Sequence, residues 1–274
     1  MITKDNFFKT SDGAYLYYEV HGQGKPILLL PGSNCSTEFF KHNIAGLSAN
    51  HQLILMDIRS QGRSSKELTG NTLSRHAQDV YELMEHLQLQ DVTLAGWSLS
   101  GSTAITYCLQ YNHARLSRIV LMDAVLHPFS ADEENTYRYQ GYKIDEWTED
   151  RMKSIYDGDT FTKDFAMRMS NLSTSEDVAF ITKEVRKTHP DANLSLHFDF
   201  CMTDNTSNLP LVKVPVGLFY AKSKSYGTGY TDYYARKLKV PYRTYTFDKG
   251  GHMAFYFDPD TYNRALLEFT DAVF

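Results

Sequence analysis

The apolar positions of the chain recur with two periods, and their alternation describes a sheet threaded by helices. "AYLYYEV" (14–20) alternates after the turn signal "SDG" and reads as a strand. "PILLL" (26–30) is a continuous apolar run bounded by Gly24 and by Pro31-Gly32, the pattern of a strand buried on both faces. "QLILMD" (52–57), "VTLAGW" (92–97) and "RIVLMD" (118–123) repeat it. Between these runs the period becomes helical. Leu73, Ala77, Val80, Met84 and Leu87 share one helix face, and residues 99–113 follow with Ala104, Ile105, Cys108 and Leu109.

The rhythm stops after Leu126. Residues 127–210 are polar, aromatic and irregularly helical, with no strand like those before. It returns with the strand "VPVGLFY" (214–220), a helix over "TDYYARKLK" (231–239) and the alternating strand "YRTYTF" (242–247). Asp258 then caps a last helix with Pro259 in its first turn and Tyr262, Leu266, Phe269 and Val273 on its buried face. The pattern predicts a parallel α/β sheet built from residues 1–126 and 211–274, interrupted by an insertion at 127–210. An excursion of that length inside an α/β core predicts a lid or cap, not a loop.

Composition and charge narrow the function. A net charge of −5 leaves no basic footprint for nucleic acid or for anionic lipid. "MITKDNFFKT" has no apolar run behind a basic head, so no signal peptide is expected, and no apolar stretch reaches membrane-spanning length. Cys35, Cys108 and Cys201 are odd in number and far apart, which predicts free thiols and a cytoplasmic, reducing compartment. Cys108 falls in an apolar helix pattern and is expected in the core. There is no H-E-x-x-H, no paired C-x-x-C and no G-x-G-x-x-G after the first strand, so neither a metal nor an organic cofactor is expected.

The candidate chemistry lies at "VTLAGWSLSGST" (92–103). Gly96 and Ser100 flank Ser98 at the point where a strand stops and a helix begins. A tight turn there strains the central residue and requires small neighbours two positions to either side. This is the nucleophile elbow G-x-S-x-G, with Ser100 in place of the second glycine. The turn exposes the Ser98 hydroxyl and points the first N–H groups of the following helix at any negative charge that develops.

With these residues the chain resembles the α/β-hydrolase superfamily, nearly end to end outside 127–210. "LLLPGSN" resembles the family's oxyanion loop, with Pro31 where histidine is usual. "DIRSQGRSS" (57–65) resembles its D-x-R-G-x-G-x-S turn, and "GGHMAFYFDPDTY" the loop carrying its catalytic histidine. The segment from Asp91 to Val125 is most similar to the branch of cofactor-free haloperoxidases and aryl esterases. The resemblance implies an α/β-hydrolase fold, a mostly parallel central sheet flanked by helices, with a helical cap after the sixth strand. It implies Ser98 as nucleophile, His252 as base, and the backbone N–H groups of Ser33 and Leu99 as oxyanion donors. Asp57 is expected to tie down its own turn beside Arg59, and His127 opens the insertion.

The family's usual acid position, after the next-to-last strand, falls here in "AKSKSYGTGY", near Lys224 and Ser225, neither a carboxylate. That loop is expected to be mobile or rearranged. The superfamily's second acid position, after the sixth strand, holds Asp123, which is taken as the acid; Asp248 and Asp232 are the alternatives. The implied activity is cleavage of a carboxylic ester, or a related acyl bond, of a small molecule through an acyl-enzyme. Perhydrolysis with the same triad, or a ligand-binding protein with weak turnover, are the competing readings. Phe129, Tyr137, Tyr139, Tyr142, Trp147 and Tyr156 suggest an aromatic lid. The nine acidic against four basic residues between His127 and Thr160 are expected to disfavour strongly anionic substrates.

Overall fold

The computed structural model describes residues 6–135, 144–169, 174–221 and 230–274. Eight strands form one sheet: β1 (Phe7–Lys9), β2 (Tyr15–His21), β3 (Lys25–Leu30), β4 (His51–Met56), β5 (Val92–Trp97), β6 (Leu116–Met122), β7 (Val216–Ala221) and β8 (Tyr242–Phe247). Their spatial order is β1-β2-β4-β3-β5-β6-β7-β8. β2 runs antiparallel to β1 and β4, and every other pairing is parallel. β1 is the strand that the apolar pattern missed; three residues are too few to show a period.

Helices cover both faces. α2 (Leu73–His86), α3 (Leu99–Gln110) and α8 (Tyr230–Lys237) lie on one, with the short α1 (Ile44–Leu47), α9 (Ala254–Phe257) and the C-terminal α10 (Pro259–Asp271) on the other. The central strands divide their side chains between the two layers. In β3, Leu28 and Leu30 join the cluster containing Val80 and Leu83, while Ile27 and Leu29 join the one containing Phe255 and Leu266. Alternation across a strand buried on both faces accounts for the unbroken apolar run in the sequence. The last helix departs from expectation at both ends. Asp258 occupies the cap position but its side chain accepts no cap hydrogen bond. Val273 is 94 % exposed, because the helix stops at Asp271 and the periodicity no longer applies beyond it.

Between β6 and β7 lie α4 (Ile144–Tyr156), α5 (Gly158–Met169), α6 (Ser175–Val185) and α7 (Pro190–Met202). Their starts carry the usual signals: a capping box at Thr174 with Asp177 for α6, and Pro190 in the first turn of α7. This insert packs into both layers, through Trp147, Leu196 and Phe200 on one side and Phe161, Met169 and Ile181 on the other. Among the described residues, no helix is long and apolar enough to cross a membrane.

Candidate active site

The parallel strands end at one edge of the sheet, and three adjacent ends carry the candidate residues. β3, β5 and β6 are neighbours in register, pairing Leu30 with Gly96 and Trp97 with Met122. The residues that follow, Pro31 to Ser33, Ser98 and Asp123, therefore emerge side by side at the carboxyl edge, where open α/β sheets place ligands.

Ser98 has φ 55° and ψ −122°, the strained conformation an elbow demands, which costs on the order of 1–3 kcal/mol. The neighbours show why the turn needs small residues. A Cβ on Gly96 would sit 2.1 Å from the Ser100 carbonyl oxygen, and one on Gly101 would sit 2.2 Å from Ala124 Cβ. Ser100 is accommodated because its hydroxyl donates to the Pro31 carbonyl at 2.5 Å. The departure from the second glycine thus bonds the elbow to the loop after β3. Gly32 keeps that loop close, as a Cβ there would approach Ser98 Cβ to 3.1 Å.

His252 lies in a short turn after β8, entered through Gly250 and Gly251, both at positive φ. Trp97 Nε1 donates to the His252 carbonyl at 2.9 Å and holds that backbone against the end of β5. His252 Nδ1 is 2.5 Å from Asp123 Oδ2, with both side chains buried. Asp123 is itself fixed: its N–H donates to the Phe219 carbonyl at 2.6 Å, and its other carboxylate oxygen accepts from the Ala221 N–H at 3.4 Å. The alternatives, Asp232 on α8 and Asp248 after β8, are both exposed.

Ser98, Leu99, His252 and Ser33 line one cavity of about 360 Å³. Leu99 is the first residue of α3, so its N–H has no carbonyl one turn back to bond. Cys35 also lines the cavity, but its thiol donates to the Ser33 carbonyl, and burial followed by the charge of Glu184 pushes its pKa well up. It is a protonated wall residue, not a competing nucleophile.

Among the described residues, the insert adds Asp150 and Arg151 from α4, Phe165, Arg168 and Met169 from α5, and His197 and Phe200 from α7 to the lining. Of the aromatics named from the sequence, the three that are described do not line the cavity, whereas Phe165 and Phe200 do. Trp147 stands behind His197, donating to its Nδ1 at 2.8 Å; Phe129 packs on Trp147; Tyr156 is 80 % exposed. Tyr137, Tyr139 and Tyr142 lie outside the described residues, as does most of the "AKSKSYGTGY" segment. A readable signal was present in α4, where Asp150, Arg151 and Ser154 share the face marked by Trp147 at helical spacing. Charged residues on a buried face were the cue that the sequence reading passed over.

Two expectations concern residues away from the cavity. Asp57 ties its turn by accepting from the N–H groups of Thr37 and Arg63, at 2.6 and 2.7 Å, while Arg59 bonds Asp79 instead. His127 pairs with Asp204 at the insert's edge, 3.3 Å apart. Among the described residues, no group of three or more His, Cys, Asp or Glu side chains is placed to hold a metal ion.

Comparison with known proteins agrees with this architecture. Over 97 % of its length the chain is 23 % identical to AB hydrolase superfamily protein YisY of Bacillus subtilis (strain 168), covering 99 % of that protein. The structure superimposes on an esterase (EaEST) from Exiguobacterium antarcticum with a TM-score of 0.86 at 20 % identity, covering 97 % of this chain and 99 % of the other. It superimposes on a bromoperoxidase from Bacillus anthracis with a TM-score of 0.84 at 22 % identity, covering 95 % and 96 %. At such identities the superpositions speak for the fold alone. The family model described as alpha/beta hydrolase fold matches residues 25–176, more than half of the chain, and the chain belongs to that family.

Proposed function

We propose that the protein is a serine hydrolase that cleaves a carboxylic ester, or a related acyl bond, of a small molecule through an acyl-enzyme. The observation that carries the reading is the 2.5 Å contact between His252 Nδ1 and Asp123 Oδ2, beside a serine held in an elbow and lining the same cavity. Asp123 fixes the imidazole with its hydrogen on Nδ1 and leaves Nε2 to accept the Ser98 proton. Ser98 Oγ then bonds the acyl carbon, and the carbonyl oxygen becomes an oxyanion held by the N–H groups of Leu99 and Ser33. His252 returns the proton to the departing alcohol. Water then repeats the sequence on the acyl-enzyme, releasing the acid and restoring Ser98. Residues 127–210 act as the cap that closes this site. The three cysteines, free and buried, are in keeping with a reducing, cytoplasmic setting.

The test is intact mass after exposure to a fluorophosphonate. Wild type should gain one adduct quickly, Ser98→Ala none, and Asp123→Asn one only slowly. Equal labelling of wild type and Asp123→Asn would remove Asp123 from the triad, and no labelling of wild type would remove the nucleophile. A second reading, perhydrolysis, rests on the resemblance of the segment from Asp91 to Val125 to the cofactor-free haloperoxidases. It uses the same residues with peroxide in place of water, and monochlorodimedone halogenation in acetate and peroxide distinguishes the two.

A further inference from the structure

The insert turns fixed charge toward the cavity that the acyl-transfer reading leaves unused. Asp150, Arg151 and Arg168 all line it. Asp150 divides its carboxylate, Oδ2 accepting from Arg151 and Oδ1 from Arg168 at 3.1 Å. Burial opposes ionisation of Asp150, but the charges of Arg151 and Arg168 outweigh it and hold the carboxyl below its ordinary range. Among the described residues, two guanidiniums against one carboxylate leave this wall with one net positive charge.

The two arginines differ in commitment. Arg151 is 4 % exposed, donates from Nη1 to Asn193 Oδ1 at 2.9 Å and lies 5.0 Å over the Phe161 ring. Asn193 in turn donates to Ser33 Oγ at 2.9 Å, so Arg151 braces the loop after β3. The Arg168 side chain keeps 54 % of its surface exposed and spends one N–H on Asp150. An arginine has five such donors in a planar fork, so most of the fork is left for a ligand. His197 adds a neutral donor. Its Nδ1 accepts from Trp147, which puts the ring hydrogen on Nε2, and burial followed by the charges of Arg151 and Arg168 keeps the ring from protonating. The other described residues that the insert turns to the cavity, Phe165, Met169 and Phe200, are apolar.

We propose that the preferred substrates carry one carboxylate in addition to the reacting acyl bond, and that Arg168 binds it with His197 Nε2–H as second donor. This deepens the hydrolytic reading and rests on it for the reaction, though not for the carboxylate site. The expectation that the acidic insert disfavours strongly anionic substrates does not bear on a single carboxylate here: Asp145, Glu146, Glu149 and Asp157 are exposed, and Asp150, which lines the cavity, is paired with two arginines.

Binding to Ser98→Ala tests the site without turnover. The probes are p-nitrophenyl hydrogen glutarate against p-nitrophenyl pentanoate, plus a pair with the carboxylate in the alcohol instead of the acyl group, titrated by calorimetry at low salt. The acid of at least one pair should bind roughly ten-fold tighter than its neutral partner, and high salt should weaken the preference. Added Arg168→Gln should abolish the preference, and Arg168→Lys should keep part of it because the charge remains. In the enzyme with Ser98 intact, the same preference should appear as a ratio of kcat/KM. Equal affinities within both pairs, or a preference that survives Arg168→Gln, would overturn the proposal. If the protein with Ser98 intact turns over none of the esters while Ser98→Ala still prefers the acid, the hydrolytic reading fails and the carboxylate site stands.

Discussion

The core and the insert wall one cavity with different material. From the core come a strained serine, an imidazole fixed by a carboxylate, and glycines that bring backbones together, all at the ends of parallel strands. From the insert come guanidiniums, a neutral imidazole and apolar side chains carried on helices. Strand ends are held in register by neighbours on both sides, so they keep reacting atoms at fixed separations. Helices joined by turns tolerate exchange of side chains, which suits the choice of substrate. On the proposed hydrolytic reading, the difference assigns rate to the core and selectivity to the insert.

The largest expected effect is on rate. Ser98→Ala should lower kcat on a neutral ester by about 10⁶-fold and Asp123→Asn by about 10⁴-fold. Trp147→Phe, which removes the donor to His197 Nδ1, should act mainly on KM and on the acid-to-neutral ratio. Stopped-flow kinetics on both esters checks this, and a kcat loss in Trp147→Phe as large as that in Asp123→Asn would break the comparison.

Stability should separate the regions next. Arg59 in the core is fully buried and bidentate on Asp79, at 2.8 and 2.9 Å. Truncating it removes one of the two guanidiniums on that carboxylate, leaving Arg75, which donates to Asp79 Oδ1 from Nε and Nη2 at 2.9 and 2.7 Å, and it empties a buried volume; Arg59→Ala should cost about 3 kcal/mol in urea unfolding. Arg168→Ala, at a half-exposed position, should cost about 0–1 kcal/mol. Near-equal losses would show the insert to be as tightly coupled to global stability as the sheet.

Two buried histidines sharpen the contrast with pH. His197 has Trp147 as partner, whereas neither ring nitrogen of His76 on α2 is bonded. Burial, then the charges of Arg59 and Arg75, lowers the His76 pKa to about 3. The unfolded chain takes up this proton near the ordinary value of about 6.5 and the folded one does not. His76 therefore supports stability fully above that value and loses it as pH falls toward about 3, with a slope up to ~1.4 kcal/mol per pH unit. His76→Leu should flatten this acid limb, followed by melting temperature against pH. An unchanged limb would place the titration elsewhere.

The smallest effect concerns the elbow's odd residue. Ser100→Ala removes the bond to the Pro31 carbonyl and should cost about 1 kcal/mol of stability, with a few-fold loss in kcat as the loop loosens. Ser100→Gly restores the usual small residue but not the bond, so it should resemble the alanine variant.

Much of the core was legible because its signals are local. Continuous apolar runs predicted β3, β4, β5 and β6, and Gly96-x-Ser98-x-Ser100 marked a strained turn whose positive φ the structure shows. The insert was legible only as a break in rhythm. Asp150, Arg151, Arg168 and His197 were not singled out, because a charged residue on a helix ordinarily faces water; along the chain only the spacing of Asp150 and Arg151 from Trp147 marks an exception. Among the named aromatics, Tyr156 faces solvent and Trp147 sits one layer behind the wall.

By itself, the sequence determined most elements of the core, the class of fold and a serine in an elbow, since hydrophobic period and backbone sterics act over a few residues. Tertiary structure alone decided that Asp123 and His252, 129 positions apart, come within 2.5 Å. It alone brought Arg168 and His197 to the cavity beside Ser98. These are separations across strands and layers, set by sheet register and helix packing, and no local pattern encodes them.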